Sequence, residues 1–177
     1  QKKRMVQIST DEVFGSLSHG TATEDSKFNP SSPYAATKAA AELLVHSYSV
    51  THDSDVIITR CTNNYGPRQF AEKLIPKTII LASQNKKIPI YGKGTNVRDW
   101  IYVDDHCDAV LLTLLNGKKG ESYNISANNE INNLTIVKKI LEIMNKPDNL
   151  IEFVEDRPGH DLRYSLDSTK VSDQLGW

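Results

Sequence analysis

Short apolar runs alternate along this chain with longer segments whose apolar residues recur at helical spacing. The run Val56-Ile57-Ile58 has no polar interruption, which is typical of a strand buried on both faces of a sheet. Pro33 suits the first turn of a helix, and the spacing of Ala40 and Leu44 predicts that this helix continues to about Val50. The chain therefore combines strand and helix signals.

The same patterns extend to the rest of the chain. The predicted strands cover residues 4–9, 56–58, 88–91, 98–103, 122–126 and 151–154. The predicted helices cover residues 33–50, 73–84, 104–115 and 134–144, whereas residues 16–32 and 63–67 are predicted to be loops. Because strands alternate with helices, the expected fold class is α/β with a parallel sheet.

Composition and charge exclude several classes of function. The 177 residues carry a formal net charge of −1, which gives no electrostatic argument for binding nucleic acid or an anionic membrane. The apolar runs are shorter than the roughly 20 residues that cross a bilayer. Cys61 and Cys107 are far apart and form no Cys-x-x-Cys pair, so we expect a cytoplasmic protein without a disulfide or a metal site.

Tyr34 and Lys38 are the first candidate for chemistry. Four residues apart on a helix, they lie on the same face. A lysine charge favours the phenolate, so we expect a lowered pKa for Tyr34 and a role as a base near neutral pH. The plainer alternative is the start of an ordinary amphipathic helix.

Thr10-Asp11-Glu12 is the second candidate, because it follows a predicted strand directly. In open α/β sheets the active crevice lies beyond the carboxyl ends of the strands. Two adjacent carboxyl groups there can have different environments, so that one acts as an acid and the other as a base. A solvated acidic turn is the alternative.

These segments resemble a known superfamily in order and spacing. The blocks that resemble the extended short-chain dehydrogenase/reductases are Ser9-Thr10-Asp11-Glu12-Val13-Phe14-Gly15, Pro30-Ser31-Ser32-Pro33-Tyr34-Ala35-Ala36-Thr37-Lys38 and Asn63-Asn64-Tyr65-Gly66-Pro67. Four further blocks narrow the resemblance to the dTDP-glucose 4,6-dehydratases: Glu72-Lys73-Leu74-Ile75-Pro76, Pro89-Ile90-Tyr91-Gly92, Arg98-Asp99-Trp100 and Asp156-Arg157-Pro158-Gly159-His160-Asp161. The resemblance covers essentially the whole chain.

The resemblance implies a division of the chain into two parts. Residues 1–65 are expected to form the C-terminal portion of a Rossmann-like NAD(P)-binding sheet and to carry the catalytic residues. Residues 66–177 are expected to form mainly a smaller α/β part that binds the substrate, with residues 98–116 returning to the main sheet. No Gly-x-x-Gly-x-x-Gly motif occurs in the chain. We therefore expect a fragment that lacks the N-terminal NAD-binding part and has little activity alone.

The resemblance also implies a reaction, the NAD-dependent dehydration of dTDP-glucose. Tyr34 is expected to take the proton of the sugar 4-hydroxyl, while Lys38 holds the nicotinamide ribose and Thr10 binds the C4 oxygen. Glu12 is expected to remove the C5 proton, and Asp11 to protonate the departing 6-hydroxyl. The residues expected to contact the cofactor NAD are Tyr34, Lys38 and Asn64. Those expected to bind the substrate are Asn63, Glu72, Lys73, Leu74, Pro89, Ile90, Tyr91, Arg98, Asn133, Arg157 and His160.

Two other functions remain open at this point. A nucleotide-sugar 4-epimerase or decarboxylase shares the fold and the tyrosine–lysine pair but does not need the paired carboxyl groups of Asp11 and Glu12. A non-catalytic module that binds a nucleotide sugar would need neither the tyrosine–lysine pair nor the paired carboxyl groups. The resemblance further implies a homodimer formed through the helix that begins at Pro33.

Overall fold

The computed structural model describes residues 3–177. Its strands are β1 (Met5–Thr10), β2 (Val56–Cys61), β3 (Asn63–Tyr65), β4 (Ile88–Tyr91), β5 (Val97–Tyr102), β6 (Ser122–Ile125), β7 (Glu130–Asn132) and β8 (Ile151–Val154). Its helices are α1 (Pro33–His52), α2 (Leu74–Ser83), α3 (Val103–Asn116), α4 (Asn133–Ile143) and α5 (Thr169–Leu175), with 3₁₀ turns at Asp11–Phe14 and Asp148–Leu150. All the predicted strands and helices are confirmed, with ends shifted by a few residues at most.

The main sheet has the strand order β1-β2-β6 and is parallel throughout. All residues of β2 from Val56 to Arg60 are buried, as its uninterrupted apolar run predicted. Helices α1 and α3 pack against β1 and β2, and α5 packs against β6. Ile57, Tyr123 and Val171 form one core cluster where α5 covers the sheet. This arrangement confirms the expected α/β class with a parallel sheet.

A second group of strands lies beyond the end of β2. Strand β5 pairs in parallel with β3 and antiparallel with β7, whereas β4 and β8 form a separate parallel pair. A core between α2 and α4 joins these elements; its buried members are Ala82, Ile88, Ile90, Val137, Leu141 and Leu150. The chain passes from β2 to β3 through the single residue Thr62, which places β3 at the carboxyl end of the main sheet.

The loop predicted at residues 63–67 is wrong for its first half. Asn63–Tyr65 is a strand, although asparagine has a low strand propensity. Its register with Trp100, Ile101 and Tyr102 of β5 explains the difference, because pairing between distant segments overrides local preference.

The expected division near residue 65 is not decided by these contacts and stays a prediction. Within residues 98–116, α3 lies against β1 and β2 of the main sheet. Strand β5, in contrast, is hydrogen-bonded to β3 and β7 and not to the main sheet.

A buried ion pair fixes α1 on the main sheet. Arg60 of β2 donates from Nη2 to Glu42 Oε2 at 2.7 Å and from Nε to both carboxylate oxygens at 3.0 and 3.1 Å. The two side chains are only 5% and 2% exposed. The Arg60 guanidinium carbon also lies 5.0 Å from the ring centroid of Phe14 and 5.5 Å from that of Phe28. The pair sets the position of α1, which carries Tyr34 and Lys38.

Candidate active site

The 3₁₀ turn after β1 holds two adjacent carboxyl groups in different surroundings. The Thr10 hydroxyl accepts a hydrogen bond from the Glu12 backbone N–H at 3.3 Å and donates to Asp11 Oδ1 at 3.1 Å. Asp11 is buried, whereas Glu12 is half-buried and faces a cavity. Gly15 ends the turn in the left-handed region at φ 69°. A Cβ at Gly15 would overlap the backbone carbonyl of Asn29, so the turn needs glycine there.

Burial gives the two carboxyl groups different proton affinities. Desolvation is the main cause that raises the pKa of Asp11 to about 7, and the charge of Glu12 adds to it. Burial also raises the pKa of Glu12 above its usual value, while the positive charge of Arg98 opposes that rise. Near neutral pH, Asp11 therefore retains a proton in a large fraction of molecules. The pair can supply one proton donor and one acceptor from the same turn.

Tyr34 and Lys38 stand at the start of α1, close to this turn. Ser32 caps the helix by accepting from the Ala35 N–H at 3.1 Å, and Pro33 is its first residue. The Lys38 ammonium lies 6.0 Å from the Tyr34 ring centroid and donates to the Ile8 carbonyl at 3.1 Å. The lysine and the tyrosine thus share a helix face, as their spacing predicted.

The expected lowering of the Tyr34 pKa is wrong for this structure. Partial burial, followed by the negative charge of Glu12, raises the pKa of Tyr34 above its usual value, although a hydrogen bond to Thr10 acts in the opposite direction. The Lys38 ammonium is instead engaged by the Ile8 carbonyl. The spacing of Tyr34 and Lys38 along the helix shows neither the partial burial of Tyr34 nor the carboxylates that the turn after β1 brings close to it.

A cavity of about 520 Å³ opens beside Glu12. This volume is within the range of pockets that enclose small-molecule ligands. Every residue expected to bind substrate lines it: Asn63, Glu72, Lys73, Leu74, Pro89, Ile90, Tyr91, Arg98, Asn133, Arg157 and His160, together with the expected cofactor contact Asn64. The lining does not include Thr10, Asp11, Tyr34 or Lys38, although the charge of Glu12, which does line the cavity, acts on Asp11 and Tyr34.

Four further lining residues were missed by sequence reasoning: Gln69, Lys77, Trp100 and Tyr164. Lys77 follows Lys73 by one helical turn at the start of α2, and that spacing was a usable signal. Trp100 belongs to the block Arg98-Asp99-Trp100, but no role was expected for it. Gln69 and Tyr164 carried no sequence pattern that pointed to the cavity.

Arginine side chains give the cavity its positive charge. The Arg98 guanidinium is buried and stacks on the Tyr164 ring, with 4.3 Å between its carbon and the ring centroid. Arg157 lies 5.9 Å from the ring centroid of Tyr91, and the His160 ring meets the same tyrosine edge-on at 6.3 Å. Two guanidinium groups and an aromatic ring in one cavity suit an anionic ligand that carries a flat base.

Several buried acceptors at this site have no hydrogen-bond partner within residues 3–177. They are Asp11 Oδ2, Asn63 Oδ1, Asn64 Oδ1 and Gln69 Oε1. Buried polar atoms of folded proteins are nearly always paired, so these acceptors indicate a place for ligand or water donors.

Within residues 3–177 no helix is long and apolar enough to cross a membrane.

Comparisons with known proteins show the family of the chain. The description "GDP-mannose 4,6 dehydratase" defines a family whose sequence pattern matches residues 1–177. The chain therefore belongs to that family of nucleotide-sugar enzymes. The fold and the motifs had indicated the same class.

Individual relatives are similar over nearly the whole chain. The low-salt glycan biosynthesis protein Agl12 of Haloferax volcanii is 53% identical over 174 residues, covering 98% of the chain and 56% of that protein. A dTDP-glucose 4,6-dehydratase of Streptomyces griseus is 48% identical over 172 residues, covering 97% and 52%. The crystal structure of DesIV, a dTDP-glucose 4,6-dehydratase of Streptomyces venezuelae with NAD bound, matches with a TM-score of 0.97 and 45% identity over 98% of the chain and 54% of that protein. The chain thus spans about half the length of the relatives it matches.

Proposed function

We propose that the protein to which this chain belongs dehydrates dTDP-glucose to dTDP-4-keto-6-deoxyglucose with bound NAD. The observation that carries the proposal is the turn after β1, where a buried Asp11 with a pKa near 7 adjoins the less buried Glu12. Elimination of water across C5 and C6 needs one group that accepts a proton and another that donates one at the same time. A binding module has no use for such a pair.

The residues of the chain divide the proton transfers among them. Tyr34 in its deprotonated form, which its raised pKa makes the minor form in this chain, takes the proton of the sugar 4-hydroxyl, while the Thr10 hydroxyl turns its proton from Asp11 Oδ1 to the C4 oxygen. The resulting C4 ketone acidifies the C5 proton, which the Glu12 carboxylate removes. Asp11 gives its proton to the departing 6-hydroxyl, and water leaves.

The residues present fit the nicotinamide end of NAD. Asn64 Oδ1 is a buried acceptor without a partner in the described part of the chain, which suits a ligand with amide donors. The Tyr34 side chain is 51% exposed, and Lys38 lies on the same helix face. When bound there, NAD supplies the acceptor for the C4 hydride and the donor that returns it to C6.

The side chains that line the cavity support a nucleoside diphosphate as the part of the substrate that is bound there. Arg98 and Arg157 provide planar donors that match diphosphate oxygens, and Tyr91 provides a ring for the base. An epimerase would bind its substrate through the same nucleoside diphosphate. The paired carboxyl groups favour the dehydratase, because inversion at C4 requires no elimination.

A homodimer and a cytoplasmic location complete the proposal. The outer face of α1 exposes Leu43, Leu44 and Tyr48 by 52 to 60% of their surface, and a second copy of this helix is the occupant we propose. Both cysteines are free, which fits a reducing compartment.

The test uses the full-length protein with NAD and dTDP-glucose in heavy water, followed by proton NMR. We expect a new C6 methyl group with deuterium at C5. The Tyr34→Phe variant should slow the reaction by about 10² to 10⁴-fold, because the first proton transfer loses its base. Glu12→Gln should stop deuterium incorporation at C5. A dTDP-galactose product without a methyl signal would overturn the proposal in favour of an epimerase.

A further inference from the structure

Asp161 is not among the expected catalytic or binding residues, yet it lies at the centre of a set of contacts that includes Arg98. Its Oδ2 accepts a hydrogen bond from the Tyr164 hydroxyl at 2.6 Å and another from the Ser31 hydroxyl. Its backbone carbonyl accepts from Arg98 Nη2 at 2.8 Å and from Asn96 Nδ2 at 3.2 Å. Asp161 therefore connects three segments that are distant in the sequence.

The contacts form a closed ring around the buried arginine of the cavity. The Arg98 guanidinium stacks on Tyr164, the Tyr164 hydroxyl reaches the Asp161 carboxylate, and the Asp161 carbonyl returns to Arg98. Arg98 Nη1 also donates to the Val97 carbonyl at 2.7 Å. With its plane held on one side by a ring and at its edge by carbonyls, the guanidinium has little rotational freedom left.

The same carboxylate reaches the entrance to α1. Ser31, which donates to Asp161, immediately precedes the helix cap Ser32, and Tyr34 is two residues further on. The Asp161 carboxylate thus joins Tyr164, on which Arg98 stacks, to Ser31 at the start of α1. A change at Asp161 therefore affects both Arg98 and the start of α1.

Asp161 also contributes to the charge that Glu12 experiences. After desolvation, which is the largest cause and raises the pKa of Glu12, Arg98 lowers it and Asp161 raises it. The other charged or titratable groups that act on Glu12 or respond to it are Asp11, Tyr34, Lys73, Arg157 and Tyr164. Removing the Asp161 charge therefore lowers the pKa of Glu12, because fewer negative charges oppose the nearby positive ones.

We propose that Asp161 is a positioning residue of the active site: through Tyr164 it orients Arg98 for the substrate diphosphate, and through Ser31 it ties that arginine to the helix that carries Tyr34. This inference rests on the proposed function, since it takes the diphosphate as the ligand of Arg98. It assigns roles to Asp161, Ser31 and Tyr164, none of which is among the expected catalytic or binding residues. Asp161 itself touches no reacting atom.

Two conservative variants of the full-length protein separate orientation from charge. Tyr164→Phe keeps the ring under Arg98 and the Asp161 charge but removes the hydroxyl that joins them. We expect the Kd for dTDP, measured by calorimetry, to rise about tenfold, and the acidic limb of the pH profile of kcat/KM to stay in place. Asp161→Asn keeps the shape but removes the charge. We expect this variant to move the acidic limb to lower pH, because the pKa of Glu12 falls.

Asp108→Asn on the exposed part of α3 is the matched control for loss of a carboxylate, and it should change neither quantity. The proposal is overturned if Tyr164→Phe binds dTDP as tightly as the parent protein, or if Asp161→Asn leaves the acidic limb in place. Failure of the proposed function is recognised separately, because the parent protein would then give no C6 methyl product. In that case the dTDP affinity of Tyr164→Phe alone decides whether Asp161 orients Arg98.

Discussion

Removing the Glu42 carboxylate should destabilise the fold strongly, because it leaves the buried Arg60 charge without its partner. In a Glu42→Ala variant, the Arg60 guanidinium loses the acceptor of three hydrogen bonds and remains in a place where its side chain is 5% exposed. A buried charge without its partner destabilises a protein by about 3 to 5 kcal/mol. The Phe14 and Phe28 rings beside the guanidinium leave little room for compensating water.

Equilibrium unfolding in urea, followed by the fluorescence of the buried Trp100 and the half-buried Trp177, measures this loss. With a urea dependence of about 2 kcal/mol per molar, the expected loss moves the midpoint down by about 1.5 to 2.5 M. Glu142→Ala on the exposed side of α4 is the matched control and should change stability by less than about 0.5 kcal/mol.

A double variant distinguishes the cost of an unpaired charge from the cost of lost packing. Replacing both Glu42 and Arg60 by Met fills a similar volume and leaves no charge among the aromatic rings. We expect this double variant to be more stable than either single replacement. A Glu42→Ala variant as stable as Glu142→Ala would show that the buried pair does not hold α1 on the sheet.

Three other changes test the site itself. The pKa of Asp11 is about 7 in the folded chain against an ordinary 3.8, so the folded state holds an extra proton between these values and its stability falls as pH rises through this window. Asp11→Asn should therefore be more stable than the parent at about pH 8 but not at about pH 4, in urea unfolding at both pH values; equal pH dependence would contradict this. Gly15→Ala should lower the free energy of unfolding by more than about 1 kcal/mol in the same assay, because the new Cβ overlaps the Asn29 carbonyl. Gly20→Ala is the control for backbone strain alone, since Gly20 has the same φ of 69° and open space around it. Arg157→Met should weaken dTDP binding about tenfold by calorimetry, and an affinity unchanged from that of the exposed control Lys139→Met would exclude Arg157 from the anion site.

The sequence predicted those parts of the fold that local patterns decide. The run at Val56 to Ile58 signalled a buried strand because every residue in it is apolar, and Pro33 marked the start of α1 because its ring suits a first helical turn. In contrast, β3 and β7 are three-residue strands that exist through pairing with β5. No pattern within Glu130–Asn132 or Asn63–Tyr65 could have revealed that partner.

The same distinction holds for the candidate site. The motifs identified residues whose types carry chemistry, and the cavity brings the expected binding residues together from segments far apart in the chain. Tyr164 was missed because a tyrosine under an arginine is recognisable only from the three-dimensional contact. The direction of the Tyr34 pKa was missed for a related reason, since its causes, first the partial burial of the ring and then the negative charge of Glu12, arise only in the folded structure.

The edge of β1 has a consequence for how Lys38 behaves. In the described sheet β1 pairs only with β2, and the Ile8 carbonyl accepts hydrogen bonds from two side chains, Lys38 Nζ and Gln7 Nε2, each at 3.1 Å. A further strand aligned along that edge competes for the same carbonyl, as edge strands readily accept such partners. Lys38 would then lose its backbone acceptor, and its ammonium would become available to Tyr34. We expect absorbance titration to give a lower Tyr34 pKa in a protein that pairs this edge than in the chain alone. Pairing of the β1 edge would then favour the deprotonated form of Tyr34, in which it acts as a base.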